Sequence, residues 1–243
     1  MTAREGFELE RRRELGAILT DTFNLYFRHF PAFIAIGLAV VVPVEVVVLG
    51  LGLGELSGHY NSTPTAAHEV IVVLTRLLVV GPLVGLMVLY ALLELRGEQR
   101  PRVRGAIVSG LETFRPAFLP VLIAAAIEVV TTPILIGIVF FFRWYFVPQL
   151  VALERGRGTE PLRASWELTR GNALRTVAVL LATTIVFSLA GGIVASPILS
   201  AAKSANTELL TLAAQVVTDV LTAAPVGIVA TLLLFDLRAR AKP

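Results

Sequence analysis

Thr176 to Ala202 is a run of 27 residues without one ionisable side chain. Leu209 to Phe235 is as long and carries only Asp219, and Phe30 to Gly54 carries only Glu45. About 20 apolar residues in helical conformation cross a hydrocarbon core of about 30 Å. Only 16% of the 243 residues are charged, against about 25% in soluble domains. The chain is therefore expected to be all-α, a polytopic membrane helical bundle forming one integral membrane domain over residues 1–243.

Six spans are expected, over roughly 30–54, 70–95, 116–132, 133–155, 174–200 and 208–236, by the length a bilayer requires. The third and fourth form one apolar stretch, Pro116 to Leu153, that turns tightly at Thr131-Thr132-Pro133. The distribution of arginine selects this count. With both termini cytoplasmic, all of the 21 Lys and Arg except Arg76 and Lys203 fall in the N-terminal segment, residues 96–115, residues 143–175 or the tail. A five-span chain would put the 143–175 cluster on the opposite side, against the bias that orients membrane helices. The expected location is the cell membrane. No cleavable signal peptide is evident in the first 29 residues, which are polar and rich in arginine.

Three segments precede spans and share one plan: Leu15 to His29, Val103 to Arg115 and Glu160 to Arg175. On a helix, Leu15, Ile18, Leu19, Thr22, Phe23 and Tyr26 share a face, as do Val103, Ile107, Val108 and Leu111, and Leu162, Ser165, Trp166 and Thr169. Each is expected to be an amphipathic interfacial helix on the cytoplasmic side, apolar face in lipid and arginines towards head groups. The plan suggests a threefold repeat of interfacial helix plus hairpin over 1–95, 96–155 and 156–243, although ordinary juxtamembrane connectors have the same character. Thr159-Glu160-Pro161 reads as a helix start with Thr159 as cap. Gly171-Asn172 reads as a left-handed helix end. Pro148 is expected to kink or end the fourth span.

Two stretches carry a likeness to a known family. One runs Leu15-Gly16-Ala17-Ile18-Leu19-Thr20-Asp21-Thr22-Phe23-Asn24-Leu25-Tyr26. The other runs from Arg143-Trp144-Tyr145-Phe146-Val147-Pro148 to Glu154 and resumes at Pro161-Leu162-Arg163-Ala164-Ser165-Trp166-Glu167-Leu168-Thr169-Arg170-Gly171-Asn172. Together they resemble a broad prokaryotic family of integral membrane proteins, which includes the membrane domain attached to some glycerophosphodiester phosphodiesterases. The resemblance implies a six-helix membrane module. The phosphodiesterase barrel and its metal-binding carboxylates are absent from this sequence, so that activity does not come with it.

Five charges are placed at bilayer depth: Glu45, Arg76, Glu128, Arg143 and Asp219. An ionisable group near the bilayer centre costs about 2.5–3.5 kcal/mol on insertion scales, so such groups face partners or water. Either they line a polar path for protons, cations or a small solute, or they form a network that fixes helix register. A second set, Arg155, Arg163, Trp166 and Arg170, is a candidate for lipid-phosphate or interfacial contacts at the cytoplasmic face.

The search for chemistry returns little. The chain has no cysteine. His59 with Glu55, and His68-Glu69, match no established ligand spacing, so no metal is expected. No Walker loop or nucleophile elbow occurs; no catalytic residue and no cofactor are assigned. The basic residues border apolar stretches, which points to anionic lipid head groups as partners, with protein partners or self-association, and not to nucleic acid. Three functions stay open. The first is a non-enzymatic membrane module organising lipids or partner proteins. The second is a small permease or channel using intramembrane carboxylates. The third is a membrane-embedded lipid-phosphate enzyme using Glu154 or Glu167.

Overall fold

A computed structural model describes residues 8–50, 66–96, 101–132, 136–154 and 159–241, and the side chains of all of these except 49, 50, 66–69 and 208. Helices α1 (Leu15–Arg28) and α2 (Phe30–Gly50) are followed by α3 (Ala66–Thr75), a π-helical turn Arg76–Val80 and α4 (Gly81–Leu95). Then come α5 (Val103–Thr131), α6 (Ile136–Trp144), α7 (Val147–Glu154), α8 (Glu160–Thr169), α9 (Ala173–Ala205) and α10 (Glu208–Ala241). No strand occurs among the described residues. The chain is an all-α bundle with six helices long and apolar enough to cross a membrane: Phe30–Val48, Val70–Leu95, Val103–Thr131, Ile136–Glu154, Ala173–Ala205 and Leu209–Ala241.

The sixth of these stands apart. In its most apolar stretch 78% is buried inside the protein, against 28–39% for the other five. From Ala224 to Leu237 every residue except Val226 is buried, so α10 is apolar all round and occupies the centre of the bundle. Helices α9, α4, α2 and α1 surround it. Glycines set the spacing. A Cβ on Gly37 would lie 3.1 Å from Val220, one on Gly227 3.1 Å from Val88, and one on Gly191 3.2 Å from Thr218. Small residues let helix backbones approach closely where dispersion and not water drives association. In the other spans, side chains such as Leu181, Ile185, Leu189 and Ile193 of α9 remain exposed, as surfaces facing hydrocarbon do.

The interfacial expectation needs correction at all three segments. Helix α1 does not keep its apolar face for lipid. Ile18, Thr22, Leu25 and Tyr26 are buried, and the helix packs against α10 and α9. The Arg13 amide meets Asp236, and the Tyr26 hydroxyl donates to the Leu221 carbonyl at 3.4 Å. Both separations correspond to about 20 Å of helix, so α1 runs antiparallel along the last turns of α10. Phe23 and Phe27 remain exposed. The second segment is no separate helix, because Val103 begins a helix that continues unbroken to Thr131. In α8, Leu162, Ser165 and Thr169 are buried and Trp166 is 37% exposed, so most of the expected lipid face rests on protein.

Local signals fare better. Gly171 adopts φ +80°, a left-handed conformation that costs little only without a Cβ. Pro161 lies in the first turn of α8, whereas Thr159 makes no side-chain capping bond. The fourth span is broken: α6 ends at Trp144, Tyr145–Phe146 turn, and α7 begins with Pro148 in its first turn. Val147 to Val151 are all buried, so the backbone groups freed at the break are enclosed by protein. Pro133, within the expected turn between the third and fourth spans, lies outside the described residues, as do Glu55 and His59.

Candidate functional site

The most heavily bonded polar centre lies where the N-terminal segment meets the start of α9 and the end of α10. Arg13 is its knot, with its side chain 1% exposed. Its backbone amide donates to Asp236 Oδ1 at 2.6 Å. Its guanidinium donates to Asp21 Oδ2 at 3.0 Å and to the carbonyls of Leu9 at 2.7 Å and Glu8 at 2.5 Å. Its own carbonyl accepts from Arg240 Nη2 at 2.7 Å and from Arg175 Nη2. Asp236, with a fully buried side chain, also accepts from Arg175 Nε at 3.1 Å and Arg240 Nε at 3.0 Å. Arg11 adds a bond to Asp21 at 2.7 Å, and Arg12 Nε reaches the Ala239 carbonyl at 3.2 Å. Burial lowers the Arg13 pKa below its ordinary value, opposed by the hydrogen bond to Asp21.

This clasp was missed by sequence reasoning. The sequence presents its arginines as a topology signal and as contacts to head groups, not as one another's neighbours. The available hint was local: Asp236 interrupts an apolar helix end and has Arg240 one turn later, the spacing of a helical ion pair. Nothing in the order of residues pairs Asp236 with Arg13, 223 positions away. A second tie, Arg238 to Glu154, joins the end of α10 to the end of α7.

Of the five charges expected at bilayer depth, the structure joins two. Arg76 Nη2, on the π-helical turn, donates to Asp219 Oδ1 at 2.9 Å and Oδ2 at 2.8 Å. The side chains are 48% and 17% exposed. This pair links the second and sixth spans at a point where the second departs from α-helical spacing, and π turns frequently mark functional sites. A double-mutant cycle with Arg76→Gln and Asp219→Asn, read by thermal unfolding in detergent, is expected to give a coupling of about 1–3 kcal/mol. Strictly additive losses would mean that the pair does not join the helices.

Among the described residues neither Glu128 nor Arg143 is ion-paired with Arg76 or Asp219. Glu128 is 7% exposed on the α5 face towards α6; its carboxylate has no ion-pair partner among the described residues. Glu45 is half-buried in α2. Arg143, at the end of α6, is held by α8: its Nη1 lies 3.5 Å from Thr169 Oγ1, and its Cζ 4.8 Å from the Trp166 ring centre. Ser165 Oγ donates to the Arg143 carbonyl at 2.7 Å.

The expected lipid-phosphate set does not converge either. Arg163 is exposed and paired within its own helix to Glu167 at 2.8 Å, which raises its pKa. Arg170 is exposed, and Arg155 lies outside the described residues. Among the described residues no group of three His, Cys, Asp or Glu side chains is placed to hold a metal ion.

The chain has no match among curated proteins or solved structures. A family model, Domain of unknown function (DUF7847), matches residues 103–239. The matched part runs from the start of α5 through the α6–α8 contact to Asp236 and Arg238, and it excludes Arg13 and Arg76. Since the match covers more than half of the chain, the protein belongs to the family defined by that domain of unknown function.

Proposed function

We propose that the protein is a multi-pass component of the cell membrane with both termini cytoplasmic, and that it is a non-enzymatic module gathering anionic lipids and partner proteins at its basic face. The observation that carries this reading is the division of labour among its arginines. Arg13, Arg175 and Arg240 are bonded inside the clasp and close that end of the bundle. Arg96, Arg102, Arg104, Arg163 and Arg170 are exposed at or near helix ends, and Arg115 is exposed within the first half of α5. Each exposed arginine near an anionic membrane surface contributes about 1 kcal/mol of attraction.

The likeness of residues 143–172 to membrane modules of unknown activity is consistent with this reading and adds no reaction to it. A permease reading draws on Glu128, buried without an ion-pair partner among the described residues. The dense packing around α10 argues for the module, since it fills the centre of the bundle with apolar side chains. The test is native mass spectrometry of the protein taken from nanodiscs of mixed phosphatidylcholine and phosphatidylglycerol. Retained lipid is expected to be enriched severalfold in phosphatidylglycerol. Retention in the bulk ratio would overturn the lipid part of the proposal.

A further inference from the structure

Arg143 is a guanidinium held in place without a counter-ion. Among the described residues it meets no carboxylate; its partners are the Thr169 hydroxyl and the face of Trp166. Its Nε is buried and has no hydrogen-bond acceptor. An arginine offers five N–H donors in a rigid fork, and leaving a charged group unpaired in a desolvated place is costly. Thr169 is itself committed, donating to the Ser165 carbonyl at 2.9 Å. The residue as a whole is only partly buried, so an anion has a way to its side chain from outside.

The surroundings indicate which anion reaches it. Trp144 stacks on Phe140 at 4.7 Å, and Trp166 lies 6.4 Å from Trp144. Both tryptophans of the chain are thus gathered at one place, with Trp166 against Arg143, and tryptophan favours the boundary between hydrocarbon and head groups.

We propose that Arg143 and Trp166, braced by Thr169, form a binding site for the phosphate group of an anionic phospholipid. Planar, multidentate donation is what guanidinium groups provide to phosphate, and the indole packs beside the glycerol backbone. This deepens the lipid-gathering reading above and rests on it.

Because Trp144 and Trp166 are the only two tryptophans in the chain, intrinsic emission reports on this site alone. The experiment titrates phosphatidylglycerol into phosphatidylcholine nanodiscs carrying the wild type, Arg143→Gln or Arg143→Lys. A saturable emission change is expected in the wild type, at least tenfold weaker in the glutamine variant and severalfold weaker in the lysine variant. The lysine variant keeps the charge but loses the fork, and it covers the case in which the glutamine variant does not fold. A wild-type response in either folded variant, with phosphatidylglycerol still enriched by mass, overturns the site and leaves the broader reading standing. No wild-type response and no enrichment overturn both. Sodium phosphate producing the same saturable change in detergent supports the phosphate site and identifies a soluble ligand as its occupant.

Discussion

Replacing Asp236 with alanine is expected to destabilise the protein by about 3–5 kcal/mol, the cost of removing one partner from a buried ionic centre. The carboxylate is fully buried and accepts from the Arg13 amide and from two guanidiniums. Without it Arg175 and Arg240 both retain their bonds to the Arg13 carbonyl, but two cations then converge on one site with no anion between them. At about 2–4 °C per kcal/mol for a chain of this size, the melting point in detergent should fall by about 6–20 °C. Limited digestion with trypsin gives a local readout. Cleavage after Arg13 should be slow in the wild type, where that residue is buried, and fast in the variant. Asp236→Asn, which keeps one oxygen acceptor, should fall between the two. Unchanged melting and unchanged digestion would show that Asp236 does not hold the N-terminal segment down.

The second large effect is expected at Gly137, where α6 presses against the end of α5. A Cβ there would sit 2.5 Å from Thr132 Oγ1, 2.6 Å from the Thr132 amide nitrogen and against the Glu128 carbonyl oxygen. Those oxygens are already engaged with one another, since Thr132 Oγ1 donates to the Glu128 carbonyl at 2.6 Å. Two of the three obstacles are backbone and do not rotate away. Gly137→Ala should therefore cost about 1–3 kcal/mol through overpacking, and Gly137→Val more. Because α6 carries Arg143 and Trp144, the same variant should alter tryptophan emission. Gly192 is the control, as nothing lies within 4 Å of its added Cβ. Gly192→Ala should be neutral or stabilise by up to about 1 kcal/mol, the ordinary helix propensity gain. Equal melting of both variants and the wild type would rule out a tight α5–α6 contact.

Individual residues show how far pattern reasoning reaches. Gly171 and Pro161 behave as expected because the requirement is local: one needs positive φ, the other a position without an amide to bond. The break in the fourth span is likewise announced by Pro148. The amphipathic face of α1 was legible, but not what it faces. Ile18, Thr22 and Tyr26 have the same spacing whether they enter lipid or cover the end of α10. The five intramembrane charges show the same limit, with Arg76 and Asp219 joined and Glu128 and Arg143 left separate.

By itself the sequence determined six apolar helices and the ends at which arginine gathers. Both follow from solvent physics that acts on each segment alone: a backbone in hydrocarbon must satisfy its own hydrogen bonds, and cations avoid the bilayer centre. Only the tertiary structure decided that α10 occupies the middle, that Asp236 binds Arg13 across 223 residues, and that Arg143 lies against Trp166 without a carboxylate. Those outcomes depend on how helices cross and how closely glycines let them approach. Such contacts form between segments far apart in the chain, and no periodicity within one segment encodes its partner.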